Sequence, residues 1–367
     1  MDLIAFARGV PAPEMLPVDD LRAAATRAFD ADPTKVLSYG TGGGWEPLRA
    51  RLAERHGVDS DQVVITSGSL QGFALLAEVI AQQARREGRT ARVIVEQPTY
   101  DRPLLLLARL GIEVVTAPLD WDSGVDVEAL DAAMADGADL VYLIPTFQNP
   151  AGATLTQERR LAVIESAKRH GILVLEDDPY GLLHFDEPAP PTLFSQRGDA
   201  PIAFSGSFSK TVAPGLRVGW LVLPAALAAT VATLANDTYI SASFLAQATI
   251  DEYLAAGAFE PNVDRARLQL RERRDQIVAA LGEHMPDASF SSPQGGYFIW
   301  VRLPEGLDGL HVAGASGQHG VSFVPGSSFG GDCEQYVRLA FSSPPVDQLE
   351  EGVRRLAASC RSALATA

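Results

Sequence analysis

The chain has 367 residues, 47% of them apolar and 21% charged, with a formal net charge of −16. Such a length predicts two domains or slightly more around a large core. The acidity argues against nucleic acid or an anionic membrane as a partner, because both repel a negative surface.

The two cysteines, Cys333 and Cys360, cannot build a disulfide framework and suit a reducing cytoplasm. The opening MDLIAFARGV has no basic segment followed by a long apolar one, so no secretory leader is expected. The most apolar run, residues 103–115, is broken by Arg109 and Glu113 and is too short to cross a bilayer.

In chain order, residues 1–20 carry Pro11, Pro13 and Pro17 and read as an extended arm. Asp19 and Asp20 are candidate caps for a helix through residues 23–29. From Tyr39 the chain reads YGTGGGWEPLR, a glycine-rich loop opening a helix. Its spacing is neither GxGxxG nor GxxxxGK and no strand precedes it, so a nucleotide fingerprint is rejected. A strand at 63–66 then leads through SGSLQG into a helix over 73–86, which places Gly68 and Ser69 at a helix N-terminus suited to an anion.

Strands at 91–96, 113–117, 140–144, 173–176 and 202–204 follow, the first four separated by helices at 102–110, 127–134 and 157–170. This alternation predicts an α/β fold, a mostly parallel sheet covered on both faces, with ligands at the carboxyl ends of the strands. After Leu223 the pattern changes to helices at 225–235, 246–256 and 262–282, short strands at 297–301, 322–324 and 336–340, and a helix over 346–363. The expected division is an arm over 1–38, a large domain over 39–254 and a smaller α+β domain over 255–367.

The chemistry concentrates where the strands end. Residues 205–219 read SGSFSKTVAPGLRVG, with hydroxyls at Ser205, Ser207 and Ser209, a lysine at Lys210 and an arginine at Arg217. Small hydroxyls and an arginine suit a phosphate. A lysine between apolar strands is desolvated, which lowers its pKa and frees the amine to attack carbonyls. Phosphate and reactive lysine together point to pyridoxal phosphate. The other strand ends supply an aromatic (Tyr100), an amide (Asn149), a carboxylate (Asp177) and a phenol (Tyr180). A carboxylate can keep a pyridine nitrogen protonated, the amide and phenol can bond a phenolic oxygen, and an aromatic can stack on a ring. The six histidines show no metal-ligand spacing, Asp178 reads as a turn residue, and no metal is expected.

With these residues assembled, the chain resembles the fold-type I pyridoxal-phosphate-dependent aminotransferases, and within them the 2-aminoadipate, kynurenine and aromatic aminotransferase group. The motifs that carry the likeness are FARGVPAPEMLP, YGTGGGWEPLR, TSGSLQG, PTFQNPAG, EDDPY, SGSFSKTVAPGLRVG, PQGGYFIWV and VRLAFS, spread over essentially the whole chain.

The resemblance implies that Lys210 bonds the cofactor and moves the substrate proton. It also implies that Asp177 pairs with the ring nitrogen, Tyr180 and Asn149 with the phenolic oxygen, and Tyr100 with the ring face. Gly68, Ser69, the N–H of Leu70, Ser207, Ser209 and Arg217 would hold the phosphate. Tyr39 would reach the phosphate of a neighbouring subunit in a homodimer with shared sites. Arg338 would clamp the substrate α-carboxylate, helped by Asn149 and the backbone of Gly9.

The sequence departs from the group at Leu70, where relatives usually carry glutamine, and at Arg8, where they carry a small residue. Arg8 is therefore a candidate contact for an anionic substrate group. The implied reaction is transfer of an amino group from an L-amino acid to a 2-oxo acid. The same residues would also serve an elimination, replacement, cyclisation or oxidation. A ligand-sensing module, as in regulators with an aminotransferase-like domain, is disfavoured by the acidity and by a chain that begins at the arm.

Overall fold

The structure, a computed structural model, describes residues 2–366. The arm is less extended than its prolines suggest. It holds a two-residue strand β1 (Ile4–Ala5), a 3-10 turn (Pro13–Met15) and, already from residue 18, helix α1 (Val18–Ala31). Asp19 and Asp20 lie in the first turn of α1, and the N-cap position is Pro17, with no side-chain cap bond. A short helix α2 (Pro33–Val36) and helix α3 (Glu46–His56) follow on either side of the glycine-rich loop. That loop lies against a neighbouring helix: a Cβ on Gly42 would sit 2.0 Å from the carbonyl oxygen of Ala232.

The central region then runs β2 (Val63–Thr66), α4 (Ser69–Arg86), β3 (Arg92–Gln97), α5 (Asp101–Leu110), β4 (Glu113–Asp120), β5 (Gly124–Val125) and α6 (Val127–Ala135). It continues with β6 (Leu140–Leu143), α7 (Gln157–His170), β7 (Val174–Asp177), α8 (Leu193–Gln196), β8 (Ile202–Ser207) and β9 (Gly219–Val222). The helix ends are locally encoded. Thr156 caps α7 through its hydroxyl, and α3, α5 and α7 end on Gly57, Gly111 and Gly171 in the left-handed conformation.

Eight strands form one sheet in the order β2-β9-β8-β7-β6-β3-β4-β5. The run β8-β7-β6-β3-β4 is parallel, while β9 is antiparallel to both β8 and β2. Two reversals point β2 the same way as β8, so the carboxyl ends of β2, β3, β6, β7 and β8 share one edge. Alternate residues feed opposite cores: Ile94, Val141 and Val174 meet Leu52, Met134 and Val163, whereas Val93, Leu140 and Leu175 meet Leu76, Leu107 and Val231. Helices α3, α6 and α7 cover one face; α4, α5 and α9 (Ala225–Tyr239) cover the other.

Helices α10 (Phe244–Ala255) and α11 (Phe259–His284) lead to a second, antiparallel sheet of order β10-β11-β14-β13. Its strands are β10 (Ser289–Phe290), β11 (Phe298–Arg302), β13 (Val324–Pro325) and β14 (Tyr336–Ala340). The strand expected at 322–324 divides in two. β12 (Val321–Ser322) pairs with β1 of the arm, and β13 pairs with β14. Helix α12 (Gly309–His319) was not foreseen, because glycines at 309, 314 and 317 lower its propensity. Asp308 starts it by accepting from the N–H groups of Leu310 and His311. The last helix, α13 (Leu349–Thr366), begins after a 3-10 turn at Val346–Gln348.

Among the described residues no helix is long and apolar enough to cross a membrane, and no group of three or more His, Cys, Asp or Glu side chains gathers as for a metal ion.

Candidate active site

The shared sheet edge opens into a cavity of about 490 Å³, closed on the other side by the arm, β11 and β14. Of the residues singled out from the sequence, Gly9, Ser69, Leu70, Tyr100, Asn149, Asp177, Tyr180, Ser207, Ser209, Lys210, Arg217 and Arg338 all line it.

Lys210 stands three residues beyond β8, where the strand's register delivers its amine to the cavity. Its Nζ donates to the carbonyl of Gly9 at 2.5 Å and faces the rings of Tyr180 and Tyr297, 5.9 and 5.6 Å from their centres. Burial, then the nearby charges of Arg338 and Arg217, bring its pKa down to about 8, against the pull of Asp177. The chain has three lysines; Lys35 and Lys168 are exposed, so Lys210 alone is desolvated. Its loop is held from outside the sheet: Tyr297 Oη donates to the Lys210 carbonyl at 2.7 Å and Asn262 Nδ2 to the Thr211 carbonyl at 2.7 Å.

Asp177, the last residue of β7, is buried and accepts two hydroxyl bonds, each 2.8 Å, from Tyr142 Oη and Ser205 Oγ. Burial pushes its carboxyl up to about 6, a rise that both hydroxyls oppose. Ser205 therefore serves the carboxylate, not a phosphate as the hydroxyl-rich run suggested. Parallel pairing of Asp177 with Ser205 was the signal that could have shown this.

The anion seat lies at the start of α4. Gly68 occupies its N-cap at φ 86 with no capping side chain, and a Cβ there would come within 2.3 Å of Arg217 Nη2. Arg217 holds its place by donating to the Ser67 carbonyl at 2.9 Å and to Ser209 Oγ at 3.3 Å. A Cβ on Gly219 would fall 2.4 Å from the Ser69 amide nitrogen, so both glycines keep a cradle clear. Gln71, which follows the divergent Leu70, accepts from the Ser67 N–H at 2.6 Å.

On the opposite wall, Arg338 of β14 is 7% exposed. It donates to Asn149 Oδ1 and to the Ala7 carbonyl, both at 2.8 Å, and lies 4.3 and 4.9 Å from the ring centres of Phe298 and Phe329. Its Nε is buried without a partner, and desolvation lowers its pKa to about 10. An unpartnered guanidinium nitrogen in a lined cavity is suited to an incoming carboxylate.

Two expected contacts lie elsewhere. Arg8 is exposed and does not line the cavity, although its neighbours Ala7 and Gly9 do. Tyr39 is 85% exposed and also lies outside it. Tyr142, Tyr297, Phe298 and Phe329 were missed because the sequence shows them only as core-type aromatics on strands and loops. Asp178 is the turn residue expected, accepting from the Gly181 N–H at 2.7 Å.

A desolvated amine, a buried carboxylate, a helix N-terminus with an arginine, and a buried guanidinium with one unpartnered nitrogen in one cavity define an enzyme that exchanges amines and carbonyls on a phosphorylated pyridine. The aminotransferase class I and II family matches residues 2–356, and the chain belongs to it. It is 32% identical to aromatic-amino-acid aminotransferase 1 of Thermococcus litoralis, over 97% of this chain and 87% of that one. It superposes with TM-score 0.92 and 30% identity on the alpha-aminoadipate aminotransferase of Thermus thermophilus in complex with N-(5'-phosphopyridoxyl)-L-leucine, covering 100% of this chain and 94% of that one. An uncharacterized HTH-type transcriptional regulator of Bacillus subtilis, YisV, is 30% identical over 98% of this chain and 74% of its own length. The fold is that of the fold-type I aminotransferases, the cofactor is pyridoxal phosphate, and the reaction is transamination between an amino acid and a 2-oxo acid.

Proposed function

We propose that the cavity around Lys210 is the transamination site and that its donor is an L-amino acid with an apolar or aromatic side chain. The observation that carries this is the convergence of Lys210, Asp177 and Arg338 on one cavity with the α4 N-terminus. When bound, pyridoxal phosphate supplies an aldehyde for the amine and a ring that takes up an electron pair. Ser69, the Leu70 N–H, Ser207, Ser209 and Arg217, with Gly68 leaving the space, would hold the phosphate by charge-assisted bonds and the helix dipole. Asp177 would keep a proton on the ring nitrogen, Asn149 and Tyr180 would bond the ring oxygen, and Tyr100 would lie against the ring.

Arg338, with Asn149 and the Gly9 backbone, would bind the substrate carboxylate and so fix the orientation of the bonds at the α-carbon. Lys210, its amine free, would be the base that takes the substrate's α-proton and later gives it up. A pKa near 8 leaves part of its population as free amine at neutral pH.

Leu70, Phe298, Val324 and Phe329 give the cavity apolar walls, which supports the side-chain preference. Two relatives, named an aromatic-amino-acid aminotransferase and a kynurenine aminotransferase, agree with it, whereas 2-aminoadipate, named for a third, carries a second carboxylate and does not. Arg8 would meet an anionic substituent only by turning inward. We further propose a cytoplasmic homodimer in amino acid biosynthesis, with exposed Tyr39 reaching the partner's phosphate, and a division near residues 38 and 254.

The test is a donor panel read by conversion of pyridoxal to pyridoxamine phosphate, followed by mass spectrometry of products with and without a 2-oxo acid. Half-reactions confined to small or acidic donors would refute the side-chain preference. Multiple turnover without an acceptor would refute transamination as the net reaction of this site.

A further inference from the structure

Two of the loops that build the cavity hang from adjacent strands whose ladder stops short. β3 and β6 pair only as far as Val95 with Tyr142. Beyond that point β3 continues into Gln97, Pro98, Thr99 and Tyr100, while β6 continues through Pro145 to Gln148 and Asn149. The connection is then taken over by side chains. Glu96 Oε1 accepts from the Ile144 N–H at 3.0 Å and from Gln148 Nε2 at 2.9 Å. Gln148 Nε2 also donates to the Pro98 carbonyl at 2.8 Å, and Gln148 Oε1 accepts from the Ala151 N–H at 2.8 Å. Its backbone is equally committed, donating to Ala153 at 2.9 Å and accepting from Gly152 at 2.7 Å.

Gln148 is 1% exposed and Glu96 is 2% exposed, and neither lines the cavity. Yet Gln148 is the neighbour of Asn149, whose amide oxygen receives Arg338, and it grips Pro98 two residues before Tyr100. We infer that Gln148 is a positioning residue: its amide, seated on Glu96, sets the spacing between the Asn149–Arg338 pair and Tyr100. The inference rests on the proposed roles of those three residues. In a buried setting each of these bonds has no water to replace it, so losing the amide frees both loops at once. Burial pushes Glu96 up to about 8, so at neutral pH it acts mainly as a neutral acceptor and an amide could take its place.

The experiment compares wild type with Gln148→Met, which keeps the length and apolar bulk, Gln148→Asn, which keeps an amide too short to span both partners, and Glu96→Gln. Donor KM, kcat, cofactor affinity of the cofactor-free protein by fluorescence titration, and the thermal midpoint are measured for each. The expected result for Gln148→Met is a donor KM about 10- to 100-fold higher, as for a small misplacement of binding groups, with borohydride still fixing the cofactor on Lys210. Gln148→Asn should fall between it and wild type, and Glu96→Gln should hold KM within a few-fold of wild type.

Folded Gln148→Met or Gln148→Asn protein with wild-type KM and kcat would overturn the inference. So would a loss in kcat alone that merely tracks a lowered thermal midpoint. If wild type itself neither transaminates nor is labelled at Lys210, the functional reading fails instead, which the wild-type lane shows separately.

Discussion

Tyr142→Phe isolates the environment of the buried carboxylate. The substitution removes the hydroxyl that donates to Asp177 Oδ2 at 2.8 Å but keeps the ring, which packs against Phe73 at 4.9 Å between centres. Asp177 stands at about 6 against an ordinary 3.8, because burial outweighs its two hydroxyl partners. For an acid whose folded value is raised, the folded state holds a proton that the unfolded chain has released. Stability of the cofactor-free protein therefore falls as pH rises from 3.8 to about 6, and the full cost remains above that window.

A hydroxyl bonded to a carboxylate contributes about 1–2 kcal/mol more than the same hydroxyl on a neutral carboxyl. That difference is roughly one pKa unit, so the variant's Asp177 should titrate about one unit higher. Urea unfolding of the cofactor-free proteins should then show a Tyr142→Phe deficit about 1–2 kcal/mol larger near pH 8 than near pH 5. Glu96 and Asp178, also raised by burial, are common to both proteins and cancel. A deficit independent of pH would refute the reasoning, because it would mean that the hydroxyl does not discriminate the ionised form.

Two further outcomes follow from the site. Lys210 is lowered to about 8 from 10.5, so burying its ammonium costs stability below pH 8 and the cost is relieved as pH rises toward 10.5. Cofactor-free Lys210→Met should therefore unfold at higher urea than wild type at neutral pH, by about 1–3 kcal/mol, with the advantage gone by the upper end of that window; an advantage that grows with pH would contradict the sign. Gly68→Ala places a Cβ against Arg217 at a backbone conformation open essentially to glycine, φ 86 and ψ 159. It should weaken cofactor retention about 10-fold or more, read by dialysis and absorbance, whereas unchanged retention would remove Arg217 from the phosphate seat.

Much of the fold was legible because the strands and helices carry clean periodicities. The alternation through residues 91–204 marked the parallel sheet, and glycines after His56 and His170 marked helix ends. Side-chain chemistry was legible where it followed a strand, as with Asp177 and Lys210. What escaped depended on tertiary contact. Ser205 looked like its neighbours Ser207 and Ser209 but sits in register opposite Asp177. Tyr142 read as one more apolar strand residue, since nothing local shows that its hydroxyl ends at a carboxylate. Gln148 read as a plain member of PTFQNPAG, because its partners Glu96 and Pro98 lie 52 and 50 residues away. The helix at 309–319 was hidden by glycines whose cost is offset by packing of Val312 in the core around β11 and β14.

The central claim is that one amine among three lysines carries the chemistry. Borohydride reduction of the pyridoxal-phosphate-loaded protein, followed by peptide mapping, tests it directly. The account predicts a single reduced adduct on Lys210; an adduct on Lys35 or Lys168, with Lys210 unmodified, would contradict it.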